Sequence, residues 1–167
     1  MTRIRRLTLP KLLPIIIYVL ISIGFYMAYQ LQVVKRAAFN EALMFFELVW
    51  PLMFIVIFHR QLRDWRVYLV WLTIGIIQAI VCNMISDMSF LKLPRGTSAD
   101  AMLALPVGLT LYQACRQISL TVCHHEFIFI YKGMSRYDEV ERRSFTPWDV
   151  TFSLIIFLGT VLIPELF

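Results

Sequence analysis

Cysteine is scarce in this sequence, and no two cysteines have the close spacing of a redox or metal-binding motif. Cys82, Cys115 and Cys123 all lie inside apolar runs, and they form no CxxC pair. An odd number of thiols embedded in apolar sequence excludes a disulfide framework of the kind that holds small secreted domains together. We therefore interpret the cysteines as small apolar side chains that pack between helices.

The motifs of nucleotide-dependent and hydrolytic enzymes are also missing. The sequence has no GxSxG element, no Walker-type or glycine-rich nucleotide loop and no cluster of catalytic carboxylates. It also has no internal repeat, which disfavours a secondary carrier built from inverted repeats. No residue pattern identifies a cofactor. If the protein takes part in a process that consumes ATP, another chain must supply the ATPase.

Charge is low and hydrophobicity is high. Only 16% of the residues are charged and 59% are hydrophobic, which lies outside the range of soluble globular domains. The net charge of +5 does not indicate nucleic-acid binding. Most basic residues lie in short loops next to apolar runs, where they set membrane topology and contact lipid head groups. We predict a single all-α domain of a polytopic membrane protein that contacts the lipid bilayer and no nucleic acid.

Five apolar runs predict a bundle of about five transmembrane helices. The predicted ranges are 12–34, 38–58, 67–88, 102–131 and 147–163. The first run is too long for the core of a signal peptide and has no small-residue cleavage site, so we expect it to stay in the mature protein. The last run begins with the sequence TPWD at 146–149, which predicts a cap, a proline at the first helical position and an aspartate that reaches back.

The distribution of basic residues predicts the orientation. Lysine and arginine are more frequent in the N-terminal head, the 59–66 linker and the 132–143 segment than in the loops on the opposite side. Because cytoplasmic loops of membrane proteins are enriched in these residues, we expect a cytoplasmic N-terminus and an extracytoplasmic C-terminus. The expected location is the plasma membrane or the inner membrane.

The fourth run, 102–131, carries polar residues within a long apolar sequence. As a continuous helix it would exceed the roughly 30 Å hydrocarbon thickness, so we expect it to tilt, kink or protrude. At 100° per residue one side of this helix is polar. This predicted intramembrane face consists of Gln113, Arg116, Gln117, Thr121 and His124, with Thr110 and Cys123 beside them. Because a charge in lipid is costly, we expect the face to turn toward other helices or a wet cavity.

Arg116 requires a partner if it lies at mid-membrane depth. The second predicted helix carries Glu47 near its middle, and a buried charge needs a counter-charge or hydrogen bonds. We therefore consider Glu47 a possible ion-pair partner of Arg116. Two interpretations stay open: the pair locks the bundle, or Arg116 and its neighbours line a path or pocket for a polar or anionic group.

The string Cys123-His124-His125-Glu126 has the composition of a metal site but not its spacing. Adjacent histidines point about 100° apart on a helix, and the HExxH spacing that places two imidazoles on one face is absent. The other histidine, His59, belongs to a different loop. We predict no metal site, with Cys123 and His124 as weak candidates. A membrane-embedded enzyme that uses His124, His125 or Glu126 is kept as a third functional hypothesis.

Two stretches resemble transporter subunits. The sequence FNEALMFFELVWPLMFIVIFHRQLRDWRVYLVW resembles short permease subunits of ABC-type transporters. In that family an apolar helix with a glutamate and a proline enters a brief charged cytoplasmic segment that docks on the ATPase. The sequence YKGMSRYDEVERRSFTPWDVTFSLIIFLG resembles the transmembrane component of energy-coupling-factor transporters, which places an Arg/Gly-containing coupling segment before a final helix. The chain is shorter than is usual in either family.

These observations lead to a preferred functional hypothesis and an alternative. We predict a non-catalytic integral membrane subunit of a transporter, coupled through its basic loops to a cytoplasmic partner such as an ATPase. The residues expected to dock on the partner are Arg60, Arg63, Arg66, Lys132, Arg136, Arg142 and Arg143. The alternative is a small accessory or structural subunit of a larger membrane complex, in which the polar face of the fourth helix packs on a neighbour.

Overall fold

The chain is predominantly helical, as predicted. The structure is a computed structural model that describes residues 9–31, 35–93, 97–130, 137–138 and 143–162. The α-helices within these ranges are α1 (Leu9–Leu31), α2 (Arg36–Phe58), α3 (Trp65–Ile85), α4 (Ala104–Ile118) and α5 (Pro147–Leu162). A short antiparallel hairpin pairs β1 (Tyr137–Asp138) with β2 (Arg143–Ser144), with Tyr137 opposite Ser144.

Three of these helices are long and apolar enough to cross a membrane. They are α2, α3 and the part of α1 from Leu13 to Leu31. Their lengths match the 20 or so residues that a helix needs to cross the hydrocarbon core of a bilayer. Large apolar side chains such as Ile16, Phe45 and Ile76 cover their outer faces, as expected for surfaces in contact with lipid. These three helices support the prediction of a membrane protein.

A short linker joins α2 to α3. It contains the 3₁₀ turn Gln61–Arg63, and the Asp64 side chain then caps α3 by accepting a hydrogen bond from the Arg66 backbone N–H at 3.2 Å. We call the end of the bundle that carries this linker the linker end, and the opposite end the far end. The sequence predicts that the linker end is cytoplasmic.

After α3 the chain returns through the bundle from the far end. A 3₁₀ helix, Ser98–Leu103, begins with a capping box formed by Thr97 and Asp100. The Ser98 hydroxyl donates to the Asn40 side chain near the start of α2 at 3.2 Å. The 3₁₀ helix leads directly into α4, which packs between α2 and α3.

The run 102–131, whose continuity the sequence leaves open, is not a single helix. α4 ends at Ile118, a π-helical turn follows at Ser119–Cys123, and His124 adopts a left-handed conformation with φ of 57°. Residues 126–130 are not helical, and Phe127, Ile128 and Phe129 are buried. The helix can end here because side chains elsewhere in the bundle accept hydrogen bonds from the freed backbone N–H groups.

Part of α4 extends beyond the last turn of α2. The Tyr112 hydroxyl donates to the carbonyl oxygen of His59 at 2.6 Å, and His59 immediately follows α2. Because α4 runs from the far end toward the linker end, the residues after Tyr112 project past α2. Arg116 therefore lies at the linker end and not at mid-depth in the bundle.

The described part of α5 packs antiparallel to α4 and does not reach the far end. Thr160, close to the last described residue of α5, lies against Gly108, which also faces Ile55 near the end of α2. The described part of α5 therefore occupies the linker-end half of the bundle. α5 is also shorter than the three candidate spans. A fifth complete span over 147–163 is thus not established.

Candidate functional site

A carboxyl group is buried in the middle of the three membrane-length helices. Glu47 on α2 is only 2% exposed. One oxygen of its carboxyl, Oε2, accepts hydrogen bonds from the Tyr18 hydroxyl on α1 and from Gln78 Nε2 on α3, each at 2.7 Å. Gln78 Nε2 also donates to the Tyr18 hydroxyl. We call this cluster, to which each of the three helices contributes one residue, the buried triad (Tyr18, Glu47 and Gln78).

Aromatic rings enclose the buried triad. The ring of Tyr18 stacks on that of Phe46 with centroids 5.3 Å apart, and its centroid lies 6.1 Å from that of Trp50 and 5.5 Å from that of Trp71. Within the described residues, Gln78 Oε1 is buried and has no hydrogen-bond partner. A buried polar atom without a partner is uncommon in folded proteins and requires an explanation.

The predicted ion pair between Arg116 and Glu47 is wrong. The guanidinium of Arg116 instead binds the carboxylate of Glu126, with Nη2–Oε1 at 2.6 Å and Nε–Oε2 at 2.9 Å. Counting along a continuous helix placed Arg116 at the depth of Glu47. The observed position of α4 moves Arg116 to the linker end, where Glu126 comes back to meet it after the helix has ended.

The linker contacts the same carboxylate. Arg63 Nε lies 3.8 Å from Glu126 Oε2, and Arg63 Nη2 donates to the carbonyl oxygen of Phe127 at 3.2 Å. Partial burial raises the pKa of Glu126. The hydrogen bonds and charge of Arg116, together with the charge of Arg63, outweigh that effect and hold the pKa of Glu126 below its ordinary value. The carboxylate therefore stays ionised between two arginines.

A second ion pair lies at the start of α5. Asp149 has no exposed surface, and Arg143 donates to its two oxygens at 2.6 and 2.8 Å. Asp149 also accepts a hydrogen bond from Ile128 N at 2.8 Å, and it forms the predicted cap with Thr146. Burial raises the pKa of Asp149. The hydrogen bonds from Arg143, Ile128 and Thr146 outweigh this effect and lower the pKa to about 2.

The two ion pairs are connected to each other. Arg143 Nη2 donates to the backbone carbonyl oxygen of Glu126 at 2.7 Å. The Ser153 hydroxyl on α5 accepts a hydrogen bond from Ile130 N at 3.0 Å, so the segment between α4 and α5 is attached at several points. We call this assembly the linker-end network; its charged members are Arg63, Arg116, Glu126, Arg143 and Asp149.

The predicted polar face of α4 does not turn into the bundle. The buried side of α4 is apolar and includes Leu105, Leu109 and Cys115. Of the predicted face, Gln113 and Arg116 are partly buried, whereas Gln117, Thr121 and His124 are exposed. These exposed residues come after Tyr112, on the part of the chain that projects past α2. Their polarity therefore does not require a wet cavity inside the bundle.

The predicted docking residues fall into three groups. Arg60 and Arg66 are exposed on the linker. Arg63 and Arg143 are partly buried within the linker-end network. Lys132, Arg136 and Arg142 lie outside the described residues.

The described residues contain no group of three or more His, Cys, Asp or Glu side chains that could hold a metal ion. Of the two weak candidates, Cys123 is partly buried and His124 is exposed. Two residues of the enzyme hypothesis have partners within the protein. His125 Nδ1 lies 3.3 Å from the carbonyl oxygen of Glu126, and the Glu126 carboxylate is bound by Arg116. The Glu126 carboxylate therefore holds two segments of the chain together and is not available as a general base.

An apolar groove of about 350 Å³ runs along α2 between Phe45 and Phe58. Aromatic and aliphatic side chains line it, among them Trp50 and Met53, and Glu47 does not. The groove suits an acyl chain or another apolar helix, and it provides no route for a polar solute to the buried triad.

Two residues of the buried triad, Tyr18 and Gln78, are not among the site residues that the sequence predicts. The available signal was the depth of two of the three residues: Glu47 and Gln78 each lie near the middle of their predicted helices, 38–58 and 67–88. Polar residues at equal depth on adjacent helices are expected to meet, because they lack other partners in lipid.

Comparisons of the chain with protein-family models, with curated proteins and with solved structures find no match. The functional proposal therefore rests on the geometry of the buried triad and of the linker-end network.

Proposed function

We propose that the chain is a non-catalytic integral membrane subunit of a transporter, which binds a cytoplasmic partner with its linker end. The observation that carries this proposal is the position of Arg63. This residue belongs to the 59–66 linker and contacts Glu126 and Phe127 in the segment that leads to α5. Arg143, from the second region expected to dock on the partner, donates to the carbonyl oxygen of the same Glu126 at 2.7 Å, so the two regions are connected through this residue.

The linker-end network suits the transmission of movement from a partner to the helices. Arg63 lies between α2 and α3, Arg116 belongs to α4, and Asp149 belongs to α5. Arginine–carboxylate pairs with two parallel hydrogen bonds hold a defined geometry and resist independent rotation. A displacement of the linker by a partner would therefore reach four helices together. This rigidity supports a coupling role.

The exposed side chains of the 59–66 segment favour a cytoplasmic protein partner. Arg60 is exposed on the short loop after α2, and Trp65 and Arg66 are exposed in the first turn of α3, with Trp65 60% exposed. Positive charge on short loops favours the cytoplasmic side of a membrane. A basic surface with an exposed aromatic residue complements an acidic protein surface. An ATP-hydrolysing subunit with an acidic docking surface is the partner that we propose.

The test is co-purification of the full-length protein from its native host in nanodiscs, followed by mass spectrometry. We expect a stoichiometric ATP-binding subunit with the wild type. In the double variant Arg60→Glu/Arg66→Glu, we expect its yield to fall by about tenfold, as for two reversed surface charges of about 0.7 kcal/mol each.

Lys92→Glu at the far end is the matched control, because it reverses an exposed charge without touching the linker. Membrane insertion is checked by carbonate extraction of each variant. Full retention of the partner by the double variant, or a wild type that purifies with no ATP-binding protein, would contradict the proposal.

A second candidate is a small accessory subunit of a larger membrane complex. The observation that favours it is the exposure of Gln117 on the projecting end of α4 and of Thr121 and His124 in the turn that follows. The Gln117 side chain is exposed and that of Gln113 is partly exposed, so their amides are accessible to a neighbouring subunit. For this candidate, apolar replacement of Gln113, Gln117 and His124 should weaken association with other membrane subunits. Co-purification of cofactor-bearing membrane subunits without an ATPase would favour it over the transporter proposal.

A further inference from the structure

We infer that the buried triad is a proton-binding site within the membrane, at which Glu47 takes up and releases a proton. The triad is separate from the linker-end network, so the inference goes beyond the proposed docking function and does not depend on it. Three adjoining helices supply its members, and all three members are at least nine-tenths buried.

The first argument concerns charge. The titratable group that faces Glu47 is the Tyr18 hydroxyl on α1, and α3 contributes the neutral amide of Gln78. On α2, the helix that carries Glu47, the neighbouring side chains at this level are Phe46 and Trp50, which carry no charge. No described residue places a cation against the carboxyl. A buried carboxylate without a counter-charge costs several kcal/mol, and the neutral acid avoids that cost.

The second argument concerns hydrogen bonds. In the ionised state, Glu47 Oε2 accepts from two donors, Tyr18 Oη and Gln78 Nε2. This arrangement leaves Gln78 Oε1 buried without a partner among the described residues. If a proton from water binds to Glu47 Oε2, the new hydroxyl becomes a donor. Rotation of the Gln78 amide by 180° then presents Oε1 as its acceptor.

The triad can therefore satisfy the carboxyl in both protonation states. Tyr18 keeps its own proton throughout and donates to an oxygen of Glu47 or to Gln78 Oε1. The reaction converts a carboxylate and a hydronium ion into a carboxylic acid and water. Carboxyl groups within transmembrane segments are rare and often belong to proton relays.

The experiment is infrared spectroscopy of the full-length protein in nanodiscs, with pH varied between about 5 and 9, a range that covers typical shifts of a buried carboxyl. We expect a band from a protonated carboxyl that grows as the pH falls and shifts on transfer to D₂O. Glu47→Gln should abolish one titrating carboxyl per chain. Glu41→Gln is the matched control, because Glu41 lies on the same helix but is exposed.

A second pair of variants keeps the test decisive if Glu47→Gln does not fold. Tyr18→Phe and Gln78→Leu each remove one hydrogen bond to the carboxyl and should shift the frequency of the same band. A band that does not change with pH would overturn the inference, since Glu47 would then be permanently neutral. Absence of any Glu47-dependent band would overturn it as well. A band that sodium ions abolish at constant pH would assign the site to a metal cation instead.

Discussion

Arg116 and Glu126 form a two-pronged ion pair across the point where α4 ends, with Nη2–Oε1 at 2.6 Å and Nε–Oε2 at 2.9 Å. The pair joins the last turn of the helix to the chain that folds back beside it. His124, in the left-handed conformation, lies between the two residues in sequence and makes the reversal possible. The ion pair thus closes a loop between the end of α4 and the returning chain. This loop would not exist if the helix were continuous.

Glu126→Gln should destabilise the linker end. The variant leaves Arg116 and Arg63 with a neutral acceptor in a partly buried place, and we expect a loss of about 1–3 kcal/mol. Thermal unfolding in nanodiscs measures it, with Glu41→Gln as the exposed control. An unchanged melting temperature would show that the pair contributes nothing to the fold.

Acid should weaken the fold through Asp149. Its pKa of about 2 lies below the ordinary value of 3.8, so the stabilisation is complete above about pH 4 and is lost as the pH falls toward 2. The expected loss is about 2 kcal/mol. Asp149→Asn should remove this pH dependence and lower stability at neutral pH. Parallel acid titrations of the two proteins, followed by tryptophan fluorescence, would contradict the prediction if both curves coincide.

Gly108→Ala should be destabilising because α2, α4 and α5 meet at this glycine. An added Cβ would lie 2.7 Å from Ile55 Cδ1 and 2.8 Å from Thr160 Oγ1. We expect a cost of about 1–3 kcal/mol. Gly24→Ala makes the same chemical change in α1, where nothing lies within 4 Å, and should be neutral or mildly stabilising. Comparison of their melting temperatures tests the packing; equal values would contradict it.

The position of α5 can be tested by cysteine labelling. In a background with Cys82, Cys115 and Cys123 replaced, single cysteines are introduced at Trp148 and Leu162, which are each 50% exposed. A membrane-impermeant thiol reagent should label position 148 from the cytoplasmic side and leave position 162 unlabelled from either side. Labelling of position 162 from outside would mean that α5 crosses the membrane completely.

The sequence predicts the long helices well because their physical signal is local. Apolar runs long enough to cross a bilayer give α2 and α3 close to their predicted ranges, and the TPWD pattern gives the cap of α5. These features depend on neighbouring residues along the chain. No contact between distant segments is needed to recognise them.

The polar clusters depend on depth and on distant contacts, and there the predictions failed. Helical periodicity does not reveal the hydrogen bond between Tyr112 and His59. That contact places Arg116 at the linker end of the bundle. Periodicity also does not reveal that Asp149 and Ser153 accept hydrogen bonds from Ile128 and Ile130. These hydrogen bonds allow residues 126–130, which belong to an apolar run, to adopt a non-helical conformation.

The return of the chain through the bundle affects how the protein enters the membrane during synthesis. The segment from Ser98 to Leu109 contains small buried residues, including Ala99, Ala104 and Gly108, which allow it to approach neighbouring helices closely. Its stability comes from close contact with α2 and α3. We expect this segment to reach its final place only after α2 and α3, which precede it in the chain, have packed together. The order of translation thus favours the assembly of the returning segment after the helices against which it packs.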